Sequence, residues 1–419
     1  MNKKVENLIF YSGEVDIRKG GPAGYIANLR EGLKSISDTS TEVLCSVKSR
    51  KEKPAKFFAH FLTFWIPVKK IRKLWREKIF RYLFVSMGGA YPVTEEYPVL
   101  CPAFCRQLDT FDFKTITCHC VLDFLAVYNY LKKRGSKTQI CLMSHTPEAP
   151  SSEVFNHLIA CGVERKSAEE TRKRWKQWER EALKKADVLI FPSAEAMEPY
   201  YQTMPDFADC IENKRICFVA TGAKALNIAL SRDDARKKWG VETPKTICYL
   251  GRHNSVKGYD ILRDCAADIL AQRDDVTFLI GGKQGYEFSP LEHKRWKELG
   301  WVNPADVLAA ADVFVLPNRR TYFDLVLLEV LSAGVPVIAS DTGGNKTVSK
   351  LTGKIMLFED AADLKSRIEA FLDGQIHFDQ KEIIDAYQKH FSLPVFAAGY
   401  KAMIQDIIEN ASGEENAAC

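Results

Sequence analysis

The sequence predicts an α/β protein of two domains, each built around an open parallel sheet. Short apolar runs typical of buried strands alternate with longer segments of helical spacing along most of the 419 residues. In one strand–helix–strand unit, the runs 313–316 and 335–339 enclose a helical pattern over 325–333. The alternation is interrupted at 223–245, which lacks a strong strand and predicts a linker between the two domains.

The predicted strands share an apolar run of four to six residues, in most cases with glycine, proline or a polar residue directly after it. They span 8–11, 42–47, 115–118, 139–144, 187–192 and 215–220 in the first half, and 246–250, 277–280, 313–316, 335–339 and 354–357 in the second. Helical patterns lie between them, and helices at 361–372, 380–388 and 394–409 are predicted to complete the chain.

Composition favours a globular cytoplasmic protein, since 46% hydrophobic and 27% charged residues are ordinary values for that class. The twelve cysteines form no CxxC pair, and Cys118-His119-Cys120 is the nearest approach to a metal motif. Tetrahedral zinc needs four separated ligands, so no metal site and no cofactor are predicted. The N-terminus leads directly into a strand and predicts no signal peptide, and the apolar run 57–66 is too short to span a bilayer.

Positive charge is concentrated in one block. Between Lys48 and Tyr82 there are twelve Lys or Arg against two Glu, a net +10, although the whole chain carries only +5. A helical pattern in this block could lie on an anionic membrane surface, which would make the protein peripheral on the inner face of the membrane. Packing of the apolar side against its own domain explains the pattern equally well. No nucleic-acid recognition motif accompanies the charge, so nucleic acid is not a predicted partner.

Polar and glycine-rich loops follow several predicted strands, where ligands bind in open parallel sheets. The segment 20–24, Gly-Gly-Pro-Ala-Gly, precedes a helix and fits either a tight turn or an anion contact. His145 ends the strand 139–144, and His119 has the same position one strand earlier with a weaker case for a functional role. In the second half, Arg252 and Lys257 follow the strand 246–250.

Two motifs in the second half resemble those of glycosyltransferase family 4, the retaining enzymes that use nucleotide sugars and have the GT-B fold. The segment 321–329, T-Y-F-D-L-V-L-L-E, is similar to the family phrase E-G-F-G-L-V-L-L-E, and 251–258 matches G-R-x-x-x-x-K-G. The resemblance covers nearly the whole chain and is strongest over 246–345. It departs at Thr321, where the family has glutamate, and at Asp324, where it has glycine.

The resemblance implies two Rossmann-like domains that face a central cleft. Residues 1–222 would form the acceptor-binding domain and 223–392 the domain that binds the nucleotide-sugar donor. Residues 393–419 would form a helix that crosses back to the first domain and a frayed tail.

The resemblance also implies roles for individual residues. Arg252 and Lys257 would hold the diphosphate, whose developing negative charge their donors can stabilise without a bound metal. Glu329 would accept hydrogen bonds from the ribose hydroxyls. The implied catalytic positions are His145, Thr321 and Asp324, and the implied donor-binding positions are Gly21, Arg252, Lys257, Gly282, Val302, Phe323, Leu325, Glu329, Gly343 and Gly344.

Two interpretations of Asp324 remain open from the sequence. Its carboxylate could lie beside the donor sugar and supply the negative charge that the family glutamate, replaced here by Thr321, would otherwise supply. It could also cap the helix that begins at Leu325, because aspartate is favoured at that position.

The implied activity is transfer of a hexose from a nucleotide-diphosphate sugar to a hydroxyl of a glycan, lipid-linked or protein acceptor, with retention of configuration. Synthesis of bacterial cell-surface polysaccharide or glycan is the expected context. One alternative is a non-catalytic glycosyltransferase-like partner subunit, which Thr321 suggests and the retained Arg252, Lys257 and Glu329 oppose. Another is a different GT-B enzyme, such as a sugar-nucleotide epimerase.

Overall fold

The structure is a computed structural model that describes residues 2–17, 21–46, 98–285 and 287–417. Within these ranges it contains two sheets of six strands, and the strand pairs within each sheet are parallel. The predicted α/β class with two parallel-sheet domains is therefore confirmed. The basic block 48–82 lies outside the described residues, and its association with a membrane surface stays a prediction.

The first sheet is built from the N-terminal half. Its strands are β1 (Lys3–Glu14), β2 (Thr41–Ser46), β3 (Phe111–Cys118), β4 (Gln139–Met143), β5 (Val188–Phe191) and β6 (Arg215–Phe218), in the order β2-β1-β3-β4-β5-β6. The helices described in this half are α1 (Gly21–Ser35), α2 (Pro102–Leu108), α3 (Val121–Lys132), α4 (Pro150–Ala160), α5 (Arg165–Lys185), α6 (Glu198–Thr203) and α7 (Phe207–Ile211).

The second sheet repeats this architecture. Its strands are β7 (Lys245–Leu250), β8 (Val276–Gly281), β9 (Trp296–Gly300), β10 (Val313–Leu316), β11 (Val337–Ser340) and β12 (Ile355–Phe358), in the order β12-β11-β10-β7-β8-β9. The accompanying helices are α8 (Arg232–Lys238), α9 (Tyr259–Gln272), α10 (Pro304–Leu308), α11 (Leu325–Ser332), α12 (Gly344–Thr352), α13 (Ala361–Leu372), α14 (Gln380–Phe391) and α15 (Leu393–Ala417).

Each sheet contains an interior strand that is buried along its whole length. Every residue of β5 (VLIF) and of β10 (VFVL) is buried, because helices cover both faces of a parallel sheet. Continuous apolar runs are therefore required, and alternating polar residues would place unpaired groups in the core. This requirement explains why the apolar runs in the sequence located these strands.

The C-terminal helix α15 packs on the first domain. Phe396, Tyr400 and Ile407 are buried in one cluster with Ile26 and Leu29 of α1. A buried polar contact fixes the position of the helix, since the Tyr400 hydroxyl accepts a hydrogen bond from Asn7 Nδ2 (3.0 Å) and donates one to Thr117 Oγ1 (3.1 Å).

Two elements differ from the sequence predictions. The strand β9 was not predicted, because its sequence WKELG includes two charged residues and it lies at the sheet edge with one face partly exposed. The linker 223–245 contains α8, a short helix that the sequence analysis did not anticipate. Its first turn is stabilised by Ser231, whose side chain accepts a hydrogen bond from the Asp234 N–H.

Candidate active site

The carboxyl ends of the two sheets face each other across a cleft, and side chains from both domains meet there. The rings of His145 and Tyr322 lie 6.0 Å apart, and the Arg320 guanidinium lies 3.0 Å from the Glu148 carboxylate. The loop that follows β10 therefore contacts the loop that follows β4. This arrangement brings His145 to the segment that contains Thr321 and Asp324.

The loop between β7 and α9 presents Arg252 and Lys257, and Gly258 ends it. Gly258 has a φ of +64° directly before α9, a conformation that strongly favours glycine. A Cβ at this position would also overlap the carbonyl oxygen of Pro317. The Lys-Gly pair of the motif is therefore explained by close packing of the β7–α9 loop against the end of β10.

Lys257 forms an ion pair with Asp324 across these two loops. Its ammonium lies 2.7 and 2.8 Å from the two carboxylate oxygens, and both side chains are less than one-fifth exposed. Asn318 Nδ2 and Thr321 Oγ1 also donate to Asp324. Burial alone would raise the pKa of the Asp324 carboxyl, but the Lys257 charge and these hydrogen bonds lower it below its usual value. Asp324 is therefore a partly buried carboxylate at neutral pH.

The interpretation of Asp324 as a capping residue is confirmed for its position and wrong for its side chain. Asp324 occupies the N-cap position of α11, but its side chain makes no hydrogen bond to the first turn of that helix. The carboxylate instead turns towards Lys257, because a charge-assisted hydrogen bond in a poorly solvated site is stronger than one to a neutral amide. The other interpretation, a charge near the donor sugar, stays a prediction.

Arg252 is exposed at the rim of the cleft. Among the described residues its guanidinium forms no hydrogen bond or ion pair, in contrast to that of Arg319, which binds Asp260. Burial raises the pKa of Glu153 on α4, and the positive charge of Arg252 partly offsets this rise. Arg252 therefore faces the first domain with its five donors available.

Glu329 lies on the second turn of α11 and is half-buried. Its carboxyl group forms no hydrogen bond or ion pair to a described residue, and burial raises its pKa from 4.5 to about 7. A carboxyl group in this state gains from hydroxyl donors, which would stabilise its charged form. The chemistry matches the predicted contact with ribose hydroxyls.

Gly343 and Gly344 allow α12 to begin directly against the β10–α11 loop. A Cβ on Gly343 would overlap the carbonyl oxygen of Thr321, and one on Gly344 would lie 2.5 Å from that of Tyr322. The N–H of Gly343 donates to Glu198 Oε2 of the first domain at 2.9 Å, and the other oxygen of this carboxylate lies 2.7 Å from Lys346 Nζ. A carboxylate thus occupies the N-terminal end of α12, where an anion is electrostatically favoured.

His145 forms the first-domain side of the site. Its Nε2 lies 2.8 Å from Nδ1 of His119, and its ring packs 4.6 Å from that of Tyr25. Burial lowers the pKa of His145 to about 3, so the ring is neutral at physiological pH and offers one donor and one acceptor. The two histidines at neighbouring strand ends are therefore in direct contact.

The described residues contain neither a grouped set of metal ligands nor a membrane-spanning helix. Over 2–17, 21–46, 98–285 and 287–417, no three His, Cys, Asp or Glu residues are grouped so that they could hold a metal ion. The helices in this part of the chain include none that is both long and apolar enough to cross a bilayer.

The charged half of the site lies in a recognisable domain. The family model described as "Glycosyl transferases group 1" matches residues 244–374, which include the β7–α9 loop, the β10–α11 loop and the start of α12. We use the term group 1 domain for residues 244–374, which resemble glycosyltransferases of group 1. The resemblance drawn from the two sequence motifs is confirmed at the level of group 1 glycosyltransferases, and membership of family 4 stays a prediction.

Curated relatives support the same assignment for part of the chain. A phosphatidyl-myo-inositol mannosyltransferase of Mycobacterium leprae is 33% identical over 145 residues, which cover 32% of this chain and 38% of the relative. A D-inositol 3-phosphate glycosyltransferase of Corynebacterium aurimucosum is 26% identical over 221 residues, covering 46% and 51%. The alignments thus span between about two fifths and one half of these relatives.

Solved structures resemble the whole chain in fold. The sucrose-phosphate synthase of Thermosynechococcus elongatus has a TM-score of 0.59 at 16% identity and covers 97% of this chain and 100% of its own. HepE of Anabaena, in complex with UDP and glucose, gives the same TM-score at 14% identity with the same coverage. Together with the two parallel sheets, these neighbours confirm the predicted GT-B fold.

The other predicted donor-binding residues of the group 1 domain have varied surroundings. Gly282, with a φ of +138°, lets the end of β8 approach Gly251, where a Cβ would overlap the Gly251 carbonyl oxygen. Val302 is half-buried, and Phe323 is buried with its ring 6.2 Å from that of Phe391. The Phe323 side chain therefore contributes to the core, so that a contact of Phe323 with a ligand would involve its backbone groups. Leu325 is half-buried.

In the first domain, Gly21 is the first residue of α1, with a φ of +53°. Residues 18–20, directly before it, are outside the described residues. The predicted role of Gly21 in donor binding stays a prediction.

Sequence reasoning missed one polar residue of the cleft, Glu198. It did place Asn318 at the site, because Asn318 belongs to the loop that follows β10 and ligands bind beyond the strand ends. Glu198 had no such signal, because it contacts Gly343 from a helix that lies 145 residues away in sequence.

Proposed function

We propose that the chain is a retaining glycosyltransferase of family 4 that transfers a hexose from a nucleotide-diphosphate sugar to a hydroxyl acceptor. The observation that carries the proposal is a pair of ionisable side chains in the group 1 domain that have no side-chain partner among the described residues. Among the described residues, the Arg252 guanidinium and the Glu329 carboxyl lack side-chain partners at the same edge of the sheet. A nucleoside diphosphate offers the complementary groups, an anionic diphosphate for Arg252 and ribose hydroxyls for Glu329.

Donor binding would then redistribute the charge around Lys257. In the structure the Lys257 ammonium is held by Asp324. A diphosphate bound to Arg252 would compete for Lys257, since a doubly charged group attracts an ammonium more strongly than one carboxylate does. Both cations would then stabilise the charge that develops on the leaving diphosphate, and the step needs no bound metal.

The sugar would lie between the two domains. Asp324 supplies negative potential next to Thr321, which suits a short-lived oxocarbenium-like transition state without a covalent intermediate. His145 would donate or accept a hydrogen bond to the sugar from the first domain. Gly343 and Gly344 would place backbone N–H groups near it, once Glu198 releases the Gly343 N–H.

The acceptor and cellular context are part of the same proposal. Relatives named for lipopolysaccharide core biosynthesis in Rhizobium meliloti and for phosphatidyl-myo-inositol mannosylation support a glycan or lipid-linked acceptor in bacterial surface synthesis. HepE with UDP and glucose supports a nucleotide-sugar donor. We place the protein in the cytoplasm, peripheral on the inner face of the membrane if the basic block 48–82 binds anionic lipid.

The test is a panel of nucleotide-diphosphate sugars incubated with purified full-length protein, with mass spectrometry of the products. Release of the nucleoside diphosphate, at a rate that an acceptor hydroxyl increases, is the expected result. The anomeric configuration of the product, determined by NMR, tests retention. Arg252→Ala should lower the release roughly 100- to 1,000-fold, whereas Arg232→Ala, which removes an ion pair to Asp312 at 2.7 Å, should leave it unchanged.

One observation favours a second candidate, the non-catalytic partner subunit. Lys257 is already neutralised by Asp324, and Thr321 replaces the family glutamate, so the site could be preserved for packing alone. Thermal shift with the same panel distinguishes the two. A donor at 100 times its dissociation constant stabilises the native state by about 2.7 kcal/mol. No shift and no release with any donor would favour the subunit.

A further inference from the structure

His119 is fully buried at the end of β3, and the only hydrogen-bonding partner recorded for its ring among the described residues is His145. The parallel register pairs Cys118 with Leu142, so the residues that follow β3 and β4 leave the sheet side by side. His119 Nδ1 and His145 Nε2 are 2.8 Å apart, with ring planes within 16° and ring centroids 5.1 Å apart. These values describe two imidazoles joined edge to edge in nearly one plane.

The contact requires one defined arrangement of protons. A hydrogen bond between two neutral imidazoles needs one nitrogen to donate and the other to accept. Burial lowers the pKa of both rings, that of His119 well below its ordinary value, so neither carries a charge near neutral pH. The hydrogen bond at Nε2 therefore decides which nitrogen of His145 carries the proton. If Nε2 accepts, the proton is on Nδ1.

The second nitrogen of His119 indicates the direction of the bond. His119 Nε2 is buried and has no hydrogen-bond partner among the described residues. Among buried backbone groups, unpaired N–H donors are rarer than incompletely satisfied acceptors, and we apply the same preference to this ring. His119 Nε2 then carries the lone pair, and Nδ1 carries the proton that is donated to His145.

We propose that His119 is a positioning residue that donates its Nδ1 proton to His145 Nε2 and thereby keeps the proton of His145 on Nδ1. His145 Nδ1, which contacts no described polar group, would then be the donor directed at the sugar. The ring of His145 lies 6.0 Å from that of Tyr322, the neighbour of Thr321, which puts it opposite the loop proposed to hold the sugar. The identity of the ligand in this inference rests on the proposed function. The tautomer of His145 does not.

The tautomer is tested by two-bond ¹H–¹⁵N correlation spectra of the full-length protein with ¹⁵N-labelled histidine at pH 7. His145→Gln identifies the signals of His145 by their loss. The expected spectrum has His145 protonated at Nδ1 and unprotonated at Nε2. Protonation of His145 at Nε2, or of both nitrogens, would overturn the proposal.

Two variants separate positioning from packing. His119→Asn can place an amide donor where Nδ1 lies, whereas His119→Leu fills the space without a donor. We expect His145 to keep the Nδ1 proton in the Asn variant and to move it to Nε2 in the Leu variant. An unchanged His145 spectrum in the Leu variant, with folding verified by circular dichroism, would show that His119 does not control the tautomer.

Turnover provides the second readout. His119→Leu should lower kcat for the active donor about 10-fold, the scale of losing one hydrogen bond, with a smaller change in KM, and His119→Asn should recover most of it. Equal loss in both variants would contradict positioning. If the wild-type protein turns over no donor, the proposed function fails while the spectra still decide the role of His119.

Discussion

The two sides of the cleft differ in their electrostatics. The group 1 domain contributes ionisable groups, Arg252, the Lys257–Asp324 pair and Glu329. The first domain contributes two carboxylates that are already paired across the cleft, those of Glu148 and Glu198, and the uncharged rings of His119 and His145. A diphosphate needs cations, and a sugar needs directional hydrogen bonds without net charge. The difference supports the proposed division of roles, in which one domain would stabilise the leaving group and the other would orient the sugar.

The largest effect is expected from removal of the unpaired cation. Arg252→Ala should lower kcat by roughly 100- to 1,000-fold, the scale of losing one preorganised donor, with little change in stability because the guanidinium is exposed. Lys257→Ala should reduce kcat to a similar extent but also reduce stability, since it leaves Asp324 without its ion-pair partner. Steady-state kinetics and thermal unfolding measure both quantities. Wild-type turnover in either variant would contradict the assignment of the diphosphate site to this domain.

Asp324→Asn tests whether the carboxylate has a role beyond its ion pair with Lys257. The variant removes the charge and keeps the shape, so it should cost about 1–3 kcal/mol of stability by leaving the Lys257 ammonium unpaired in a partly buried site. Lys257→Met/Asp324→Asn should recover part of this stability. Turnover should stay low in both, as measured by nucleoside diphosphate release. Normal turnover of Asp324→Asn would make Asp324 a structural partner of Lys257 alone.

Glu329 should give a stability that depends on pH. Its pKa is about 7 in the folded protein against an ordinary value of 4.5, so between these values the folded state binds the proton more tightly. This contribution to stability is fully present below pH 4.5 and is lost as pH rises through 7. Glu329→Gln should reduce the loss of unfolding free energy between pH 5 and 8 by about 2 kcal/mol.

Urea unfolding at the two pH values measures this loss for wild type and variant. Glu170→Gln, which changes an exposed glutamate of α5, serves as the control and should behave as wild type. Equal pH dependence in wild type and Glu329→Gln would mean that Glu329 titrates as an ordinary exposed carboxyl. Glu329 would then not differ from the other exposed carboxyl groups of the group 1 domain.

The smallest effect is expected where the two sides touch directly. Glu198 pairs with Lys346, and Glu195 pairs with Lys350 one turn further along α12. These side chains are partly exposed, so Glu198→Lys or Lys346→Glu should each cost about 1 kcal/mol or less. The exchanged double variant should recover the loss in thermal unfolding. Additive losses in the double variant would show that the two charges do not interact in solution.

Local sequence pattern determined the elements and the charged loops of the group 1 domain. Apolar runs placed β10 at the residues observed, because a strand covered on both faces needs an unbroken apolar run. The Lys257–Gly258 pair could be recognised because its backbone requirement, a positive φ before a helix, is local. The edge strand β9 was missed, because a partly exposed edge tolerates the charges of Lys297 and Glu298.

The tertiary structure alone decided which groups are paired. Asp324 pairs with Lys257, which is 67 residues away in sequence, and its side chain does not cap α11. Neither sequence segment by itself indicates this pairing. His119 and His145 meet because β3 and β4 are neighbours in the sheet. Ion pairs and hydrogen bonds act over a few ångströms in space, whereas sequence patterns report only the near neighbours along the chain. The protonation and partners of the site residues therefore depend on the packing of the two domains.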